Sequence, residues 1–148
     1  MSEADEIEIL LVEDNPDDAE IALRALTKHK IANRIVHVRD GKEALDFLRA
    51  EGAYAGRDGS PKPKLVLLDL KLPRIGGLEV LKAVKDDPEL KVIPVVILTS
   101  SSEERDLLQS YRLGANSYLV KPVDFDKFGE AMREVGLYWL LLNRLPSA

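Results

Sequence analysis

The sequence predicts one α/β domain, a doubly wound sandwich in which five βα units surround a parallel sheet. Short apolar runs alternate along the chain with segments of helical period, and this alternation is typical of parallel strands that are buried on both faces. A length of 148 residues fits one domain, and a hydrophobic content of 45% is enough to fill one core. We therefore expect a single domain over residues 1–148, with a core from about 6 to 134, an extended last helix and tail over 135–148, and no output domain.

The apolar runs locate the strands, and the helices follow them. The predicted strands lie at about 7–12, 34–38, 65–69, 95–98 and 117–120. The predicted helices lie at about 16–30, 41–50, 77–85, 102–113 and 124–143. Pro16 and the acidic residues after it suit a helix start, and Gly114 suits a helix end. The segment Gly52–Lys64 is rich in Gly and Pro and is predicted to be a surface loop.

Composition and charge exclude several classes of protein. The chain has no cysteine, which excludes disulfides and metal-thiolate sites. Its start, MSEADEIEIL, is acidic where a secretion signal would be basic, and no apolar stretch approaches the roughly 20 residues that cross a bilayer. A net charge of −5 disfavours direct nucleic-acid binding. We expect a cytoplasmic protein that binds neither a membrane nor a nucleic acid.

Polar residues stand at the carboxyl ends of four predicted strands. Glu13 and Asp14 follow the first strand, Asp69 closes the third, Thr99 ends the fourth, and Lys121 follows the fifth. Because open α/β sheets bind ligands at the carboxyl ends of their strands, these residues are expected to share one crevice.

This set of side chains suits a divalent metal and a phosphoryl group. Glu13, Asp14 and Asp69 offer hard oxygen ligands for Mg²⁺. Asp69 is also placed to become an aspartyl phosphate, while Thr99 and Lys121 contact the phosphoryl oxygens.

On these residues the chain resembles the receiver domain of two-component response regulators. The matching segments are LLVEDNPDDAE, LVLLDLKLP, VVILTSS and SYLVKPVDF. The resemblance implies a CheY-like, flavodoxin-like fold with strand order 2-1-3-4-5, and it implies that Asp69 accepts a phosphoryl group from a histidine kinase. It further implies that the backbone carbonyl of Lys71 joins the metal ligands. Thr99 and Tyr118 would form the switch, and signalling would proceed through the surface of helix 4, strand 5 and helix 5.

The chain is most similar to the small stand-alone receivers that serve phytochrome-type histidine kinases. The features behind this are the Gly/Pro loop, the segment DPELKVIPVVILTSS and the aromatic-rich ending GLYWLLLNRLP. That ending is too apolar all round for a surface helix, so we expect it to be covered, either by a second copy of the chain or by the core of the monomer. The predicted homodimer interface centres on Tyr138, Trp139, Leu141 and Leu142.

Two other functions share parts of this pattern. A haloacid dehalogenase-type phosphatase also uses a strand-end aspartate, but it needs a second aspartate two residues later, where this chain has Lys71. A pseudo-receiver keeps the fold without accepting phosphate, and here all the required side-chain types are present. We therefore expect a signalling protein and not an enzyme, apart from self-catalysed phosphoryl acceptance and acyl-phosphate hydrolysis.

Several individual residues have two interpretations. Asp17 and Asp18 either extend the metal site or stabilise the start of the first helix, and the helix role is favoured. Lys71 either steers water attack on the acyl phosphate or points into solvent. Tyr118 is either the switch or a half-buried strand aromatic. His37 has no ligand partner nearby in sequence, so a surface or strand-edge role is expected.

Overall fold

The computed structural model describes residues 9–28, 34–121 and 127. The strands are β1 (Ile9–Val12), β2 (Ile35–Val38), β3 (Leu65–Leu68), β4 (Val95–Thr99) and β5 (Ser117–Val120). The helices are α1 (Pro16–Lys28), α2 (Gly41–Arg49), α3 (Gly77–Asp86) and α4 (Glu104–Arg112). Each strand is followed by a helix as far as α4, and the helix predicted over 124–143 lies outside the described residues.

The five strands form one parallel sheet in the order β2-β1-β3-β4-β5. This confirms the predicted fold class and strand order. The first half of the chain builds outward in one direction from β1, and the second half builds in the other, so the topology switches between β1 and β3. A crevice at such a switch point, outside the carboxyl ends of the strands, is where this architecture binds ligands.

Both faces of the sheet are buried, which explains the nearly unbroken apolar strands. Leu10 and Val12 of β1 pack with the apolar side chains of α2 and α3. Ile9 and Leu11 face the other way and pack against α1, where Leu26 is buried. Because side chains alternate along a strand, the central strands β1, β3 and β4, which are buried on both faces, must be apolar at consecutive positions.

Two predictions of local structure need correction. Helix α4 begins at Glu104 and not at Ser102, because the backbone of Glu103 is still extended, with φ −67° and ψ 130°. Part of the predicted loop is also regular, since Gly52–Arg57 forms a 3₁₀ helix.

Side-chain contacts with α2 hold this 3₁₀ helix in place. The Tyr54 ring meets the Phe47 ring edge-to-face at 5.1 Å, and the Arg57 guanidinium lies 4.1 Å from the centre of the Phe47 ring. The Tyr54 hydroxyl also donates to Glu43 Oε2 at 2.7 Å. These contacts explain why a segment rich in Gly adopts a defined structure.

No helix among the described residues is long and apolar enough to span a bilayer.

Candidate functional site

The residues predicted for the site come together at the carboxyl edge of the sheet. Glu13 and Asp69 directly follow β1 and β3, Thr99 is the last residue of β4, and Lys121 directly follows β5. Only 2% of Glu13 and 6% of Asp69 is exposed, and Thr99 is fully buried, whereas Asp14 is exposed. The site is thus a largely buried group of charges with one side open to solvent.

Backbone hydrogen bonds extend the sheet by one residue and hold these positions. The Asp69 N–H donates to the Val12 carbonyl at 3.1 Å, and the Lys121 N–H donates to the Thr99 carbonyl at 2.8 Å. The side chains of Asp69 and Lys121 therefore extend from backbone that is paired with neighbouring strands.

The Lys121 ammonium is the cation at the centre of the site. It donates to Glu13 Oε1, to Asp18 Oδ2 at 2.9 Å and to Asp69 Oδ2 at 3.0 Å. Burial alone would lower the pKa of Lys121, but its bonds to these three carboxylates raise it above its usual value. A role for Asp18 at the start of the first helix was favoured from sequence. In the structure its side chain also extends into the site, where it contacts Lys121.

Asp69 is held as an ionised carboxylate. Burial would raise its pKa, but hydrogen bonds from Lys121 and from the Thr99 hydroxyl outweigh burial, so that its pKa lies below the usual value. The backbone N–H of Lys71 adds a further bond to Asp69 Oδ1 at 3.2 Å. The side chain of Lys71 is exposed, and the role of its backbone carbonyl stays a prediction.

Glu13 is fixed through its backbone as well as its carboxylate. The Asn15 N–H donates to Glu13 Oε2 at 3.1 Å, and His37 Nε2 donates to the Glu13 carbonyl at 2.7 Å. Burial raises the pKa of Glu13 above its usual value. The contribution of His37 was missed from sequence, although the predicted pairing of the first two strands placed it beside this end of β1.

The carboxylates can hold a divalent metal. Oxygen atoms of Glu13, Asp14 and Asp69 all lie within 4.8 Å of one another. Three hard anionic donors, one of them exposed, suit Mg²⁺ or Mn²⁺ and leave positions for water and a phosphoryl oxygen. The predicted ligand side chains are therefore close enough to share one ion.

The two predicted switch residues are linked through Ser101. Thr99 Oγ1 accepts from the Ser101 N–H, and the Tyr118 hydroxyl donates to the Ser101 carbonyl at 2.9 Å. Tyr118 is half-buried and packs against the core, and burial raises its pKa. Thr99 and Tyr118 are thus connected by two hydrogen bonds through the backbone of Ser101.

Gly77, at the start of α3, supports the site in a way that the sequence did not reveal. A Cβ atom on this glycine would lie 2.2 Å from the Asp69 carbonyl oxygen. The absence of a side chain thus lets α3 approach the backbone of the candidate phosphoacceptor.

The predicted dimer residues Tyr138, Trp139, Leu141 and Leu142 lie outside the described residues.

Comparisons with known proteins agree with this geometry. The family model of the response regulator receiver domain matches residues 9–133. The chain is 44% identical over 140 residues to the probable methanogenesis regulatory protein FilR2 of Methanothrix harundinacea, with 94% of this chain and 87% of that protein covered. It is 40% identical over 140 residues to the response regulator Rcp1 of Synechocystis, with 95% and 93% covered.

Solved structures extend the similarity to three dimensions. The bacteriophytochrome response regulator AtBRR matches with a TM-score of 0.83 at 53% identity, with 94% of this chain and 99% of that chain covered. The Mn²⁺-bound form of Rcp1 matches with a TM-score of 0.74 at 37% identity, with 96% and 99% covered. The family model, these relatives and the carboxylate–lysine site at the edge of the sheet together show that this chain belongs to the response regulator receiver domain family.

Proposed function

We propose that Asp69 accepts a phosphoryl group from a histidine kinase. The observation that carries the proposal is the environment of Asp69, a buried carboxylate with a lowered pKa that contacts Lys121 and lies within metal-sharing distance of Glu13 and Asp14. In our proposal Mg²⁺ binds to these three carboxylates and to the Lys71 backbone carbonyl. When bound, the metal neutralises negative charge on the phosphoryl oxygens.

The residues of this chain supply the remaining chemistry. An ionised Asp69 oxygen attacks phosphorus, the new O–P bond forms as the P–N bond to the kinase histidine breaks, and the ring nitrogen leaves with the electron pair. Lys121 and the Thr99 hydroxyl stabilise the charge on the phosphoryl oxygens. Loss of the phosphoryl group follows when water attacks phosphorus and the bond to Asp69 breaks. Receiver domains are signalling proteins and not classical enzymes, and we propose that this chain catalyses only its own phosphorylation and dephosphorylation.

The proposed output is a change in the surface formed by α4, β5 and the helix predicted after it. In our proposal the phosphoryl group draws the Thr99 hydroxyl inward, and Tyr118 moves through the Ser101 link. This surface exposes large apolar side chains, namely Leu108, Tyr111 and Val120 at 49%, 47% and 39%. Such exposure is suited to a protein partner.

We further propose that the partner of this chain is a phytochrome-type histidine kinase. In the same proposal this chain is cytoplasmic and forms a homodimer. The similarity to AtBRR and Rcp1 supports the kinase class. The apolar ending GLYWLLLNRLP supports the dimer. In this proposal residues 1–148 are one receiver domain, and the output passes through protein contacts.

Intact-mass measurement after incubation with acetyl phosphate and Mg²⁺ tests the phosphoacceptor. The wild type should gain one phosphoryl group, and Asp69→Asn should gain none, because the variant keeps the shape of the side chain but loses the nucleophilic oxygen. Asp86→Asn is the matched control, since Asp86 is exposed and pairs with Lys82 on the surface of α3. An adduct on Asp69→Asn at wild-type yield would show that another residue accepts the phosphoryl group. No adduct on the wild type would favour the pseudo-receiver.

A phosphatase of the haloacid dehalogenase type is not supported by the site. Its general acid would stand two residues after the nucleophile, and that position is Lys71, whose side chain is exposed. Release of phosphate from a phosphomonoester at many turnovers per chain would contradict this conclusion.

A further inference from the structure

Asp18 differs from the other two carboxylates that hold Lys121. An ammonium group has three N–H donors, and in this site they go to Glu13, Asp18 and Asp69. Glu13 and Asp69 belong to the candidate metal cluster, and Asp69 is also the proposed phosphoacceptor. Asp18 has neither role, although its oxygen lies 2.9 Å from the ammonium nitrogen.

Asp18 would keep its interaction with Lys121 when a metal ion binds and Asp69 is phosphorylated. A metal ion held by the cluster would be bound by carboxylate oxygens of Glu13 and Asp69, and phosphorylation would convert Asp69 into an acyl phosphate. Two of the three partners of Lys121 are therefore altered during signalling. The bond to Asp18 requires no such change.

We propose that Asp18 is a positioning residue, an anchor that keeps the Lys121 ammonium aimed at the phosphoryl group throughout the phosphorylation cycle. This inference rests on the proposed phosphorylation of Asp69. Lysine carries its charge on a flexible four-carbon stem, so an unanchored ammonium loses part of its effect to rotamer freedom. A fixed partner lowers that loss and keeps the cation in productive geometry.

The position of Asp18 is itself well defined. It lies in the first turn of α1, and its backbone N–H donates to Asn15 Oδ1 at 3.1 Å. The N–H of Asn15 in turn donates to Glu13 Oε2. The start of α1 is thereby tied to the metal-binding carboxylate on one side and to the phosphate-binding lysine on the other.

A double-mutant cycle tests this role. The rate of phosphorylation by acetyl phosphate at saturating Mg²⁺ is measured for wild type, Asp18→Ala, Lys121→Ala and the double variant. Charge on both partners strengthens the hydrogen bond between Asp18 and Lys121, and the exposure of 36% of the Asp18 side chain weakens it. We expect Asp18→Ala to slow phosphorylation about three- to tenfold, and to have no effect when Lys121 is already absent.

Asp17→Ala is the matched control, because Asp17 is the preceding residue, is exposed, and also has its backbone N–H bound by Asn15. If Asp18 acted only by placing negative charge at the start of α1, Asp17→Ala would show a similar slowing, and the effect of Asp18→Ala would persist without Lys121. Either result would overturn the inference, as would a wild-type rate for Asp18→Ala. Failure of the wild type to gain a phosphoryl group would instead refute the proposed function.

A second readout does not depend on rate. In a crystal structure with Mg²⁺ and beryllofluoride, a stand-in for the phosphoryl group, Asp18 Oδ2 should stay within hydrogen-bond distance of Lys121 Nζ while Glu13 no longer does. Separation of Asp18 from Lys121 in that complex would contradict a permanent anchor.

Discussion

At the scale of single residues, Glu13 and Asp69 show how partners decide what a buried carboxylate does. Both are nearly inaccessible to solvent and both contact Lys121. Burial dominates for Glu13 and raises its pKa, whereas Asp69 also receives the Thr99 hydroxyl and the Lys71 N–H, and its pKa is lowered. Of these two carboxylates, the residue proposed as the nucleophile is thus the one whose pKa is lowered.

Tyr54 provides a prediction of pH dependence away from the site. Burial and its hydrogen bond to Glu43 raise the pKa of Tyr54 to about 12. Because the folded pKa exceeds the unfolded value of about 10, the stability that Tyr54 contributes is constant below about pH 10 and declines as the pH rises toward 12. The free energy of unfolding of the wild type should fall between about pH 10 and 12 more than that of Tyr54→Phe, by at most about 1.4 kcal/mol per pH unit.

Urea unfolding at several pH values measures this difference. Tyr111→Phe is the control, because that side chain is 47% exposed on α4, and its profile should follow the wild type. Parallel pH profiles for wild type and Tyr54→Phe would show that the hydrogen bond to Glu43 does not hold the phenol neutral.

At the scale of elements, the junction between β3 and α3 joins the fold to the chemistry. The Gly77 N–H donates to the Leu70 carbonyl at 2.9 Å, so α3 begins directly against the turn that follows Asp69. Glycine is needed there because of space and not because of an unusual φ, since the nearest obstacles to a Cβ are backbone atoms that cannot rotate away.

Gly77→Ala should therefore destabilise the protein by about 1–3 kcal/mol, even though alanine favours a helix by about 1 kcal/mol over glycine. It should also slow phosphorylation, because the added methyl group pushes against the Asp69 carbonyl oxygen. Gly76→Ala is the control, since its nearest neighbour would be the Leu70 carbonyl oxygen at 4.0 Å. Urea unfolding and the rate with acetyl phosphate measure the two effects, and equal behaviour of both variants would argue against close packing at Gly77.

At the scale of the whole molecule, we expect the acidic site to make stability depend on cations. The chain carries a net charge of −5, and Glu13, Asp18 and Asp69 share the Lys121 ammonium. Asp14 adds a fourth carboxylate close to Glu13 and Asp69. Closely spaced carboxylates repel one another, and a divalent ion that binds only the folded state removes part of that repulsion.

Mg²⁺ at about one hundred times its dissociation constant should stabilise the fold by about 2.7 kcal/mol. Thermal unfolding should show a rise in Tm that Asp14→Asn largely abolishes and that EDTA reverses. Glu89→Gln is the control, because Glu89 is exposed in the loop before β4, at the other end of the sheet. The same rise in Asp14→Asn, or with NaCl of equal ionic strength, would indicate screening and not a specific site.

The predicted homodimer also belongs to this scale. Each large apolar side chain that is fully buried contributes about 1.5–3 kcal/mol, so Tyr138, Trp139, Leu141 and Leu142 together can offset an association cost of roughly 4–15 kcal/mol. Sedimentation should show a dimer without phosphate, and Leu141→Asp should convert it to a monomer. Val92→Asp is the control, because Val92 is 76% exposed in the loop between α3 and β4. A wild-type monomer at high micromolar concentration, phosphorylated or not, would leave the tail as part of the monomer core.

The sequence by itself determined the strands and the gathering of Glu13, Asp69, Thr99 and Lys121 at one edge of the sheet, whereas the strand order was implied by the resemblance to receiver domains. These features follow from local patterns, since an apolar run marks a buried strand and the residue that ends it must lie at the carboxyl edge.

Only the tertiary structure decided which side chains meet across that edge. Asp18 contacts Lys121 over a separation of 103 residues, and His37 contacts the Glu13 carbonyl from a neighbouring strand. The need for glycine at position 77 likewise follows from the packing of α3 against the Asp69 backbone, which leaves no space for a Cβ atom. Such contacts depend on how elements distant in sequence pack and on which rotamers they allow, and periodicity in a sequence records burial but not the identity of the partner.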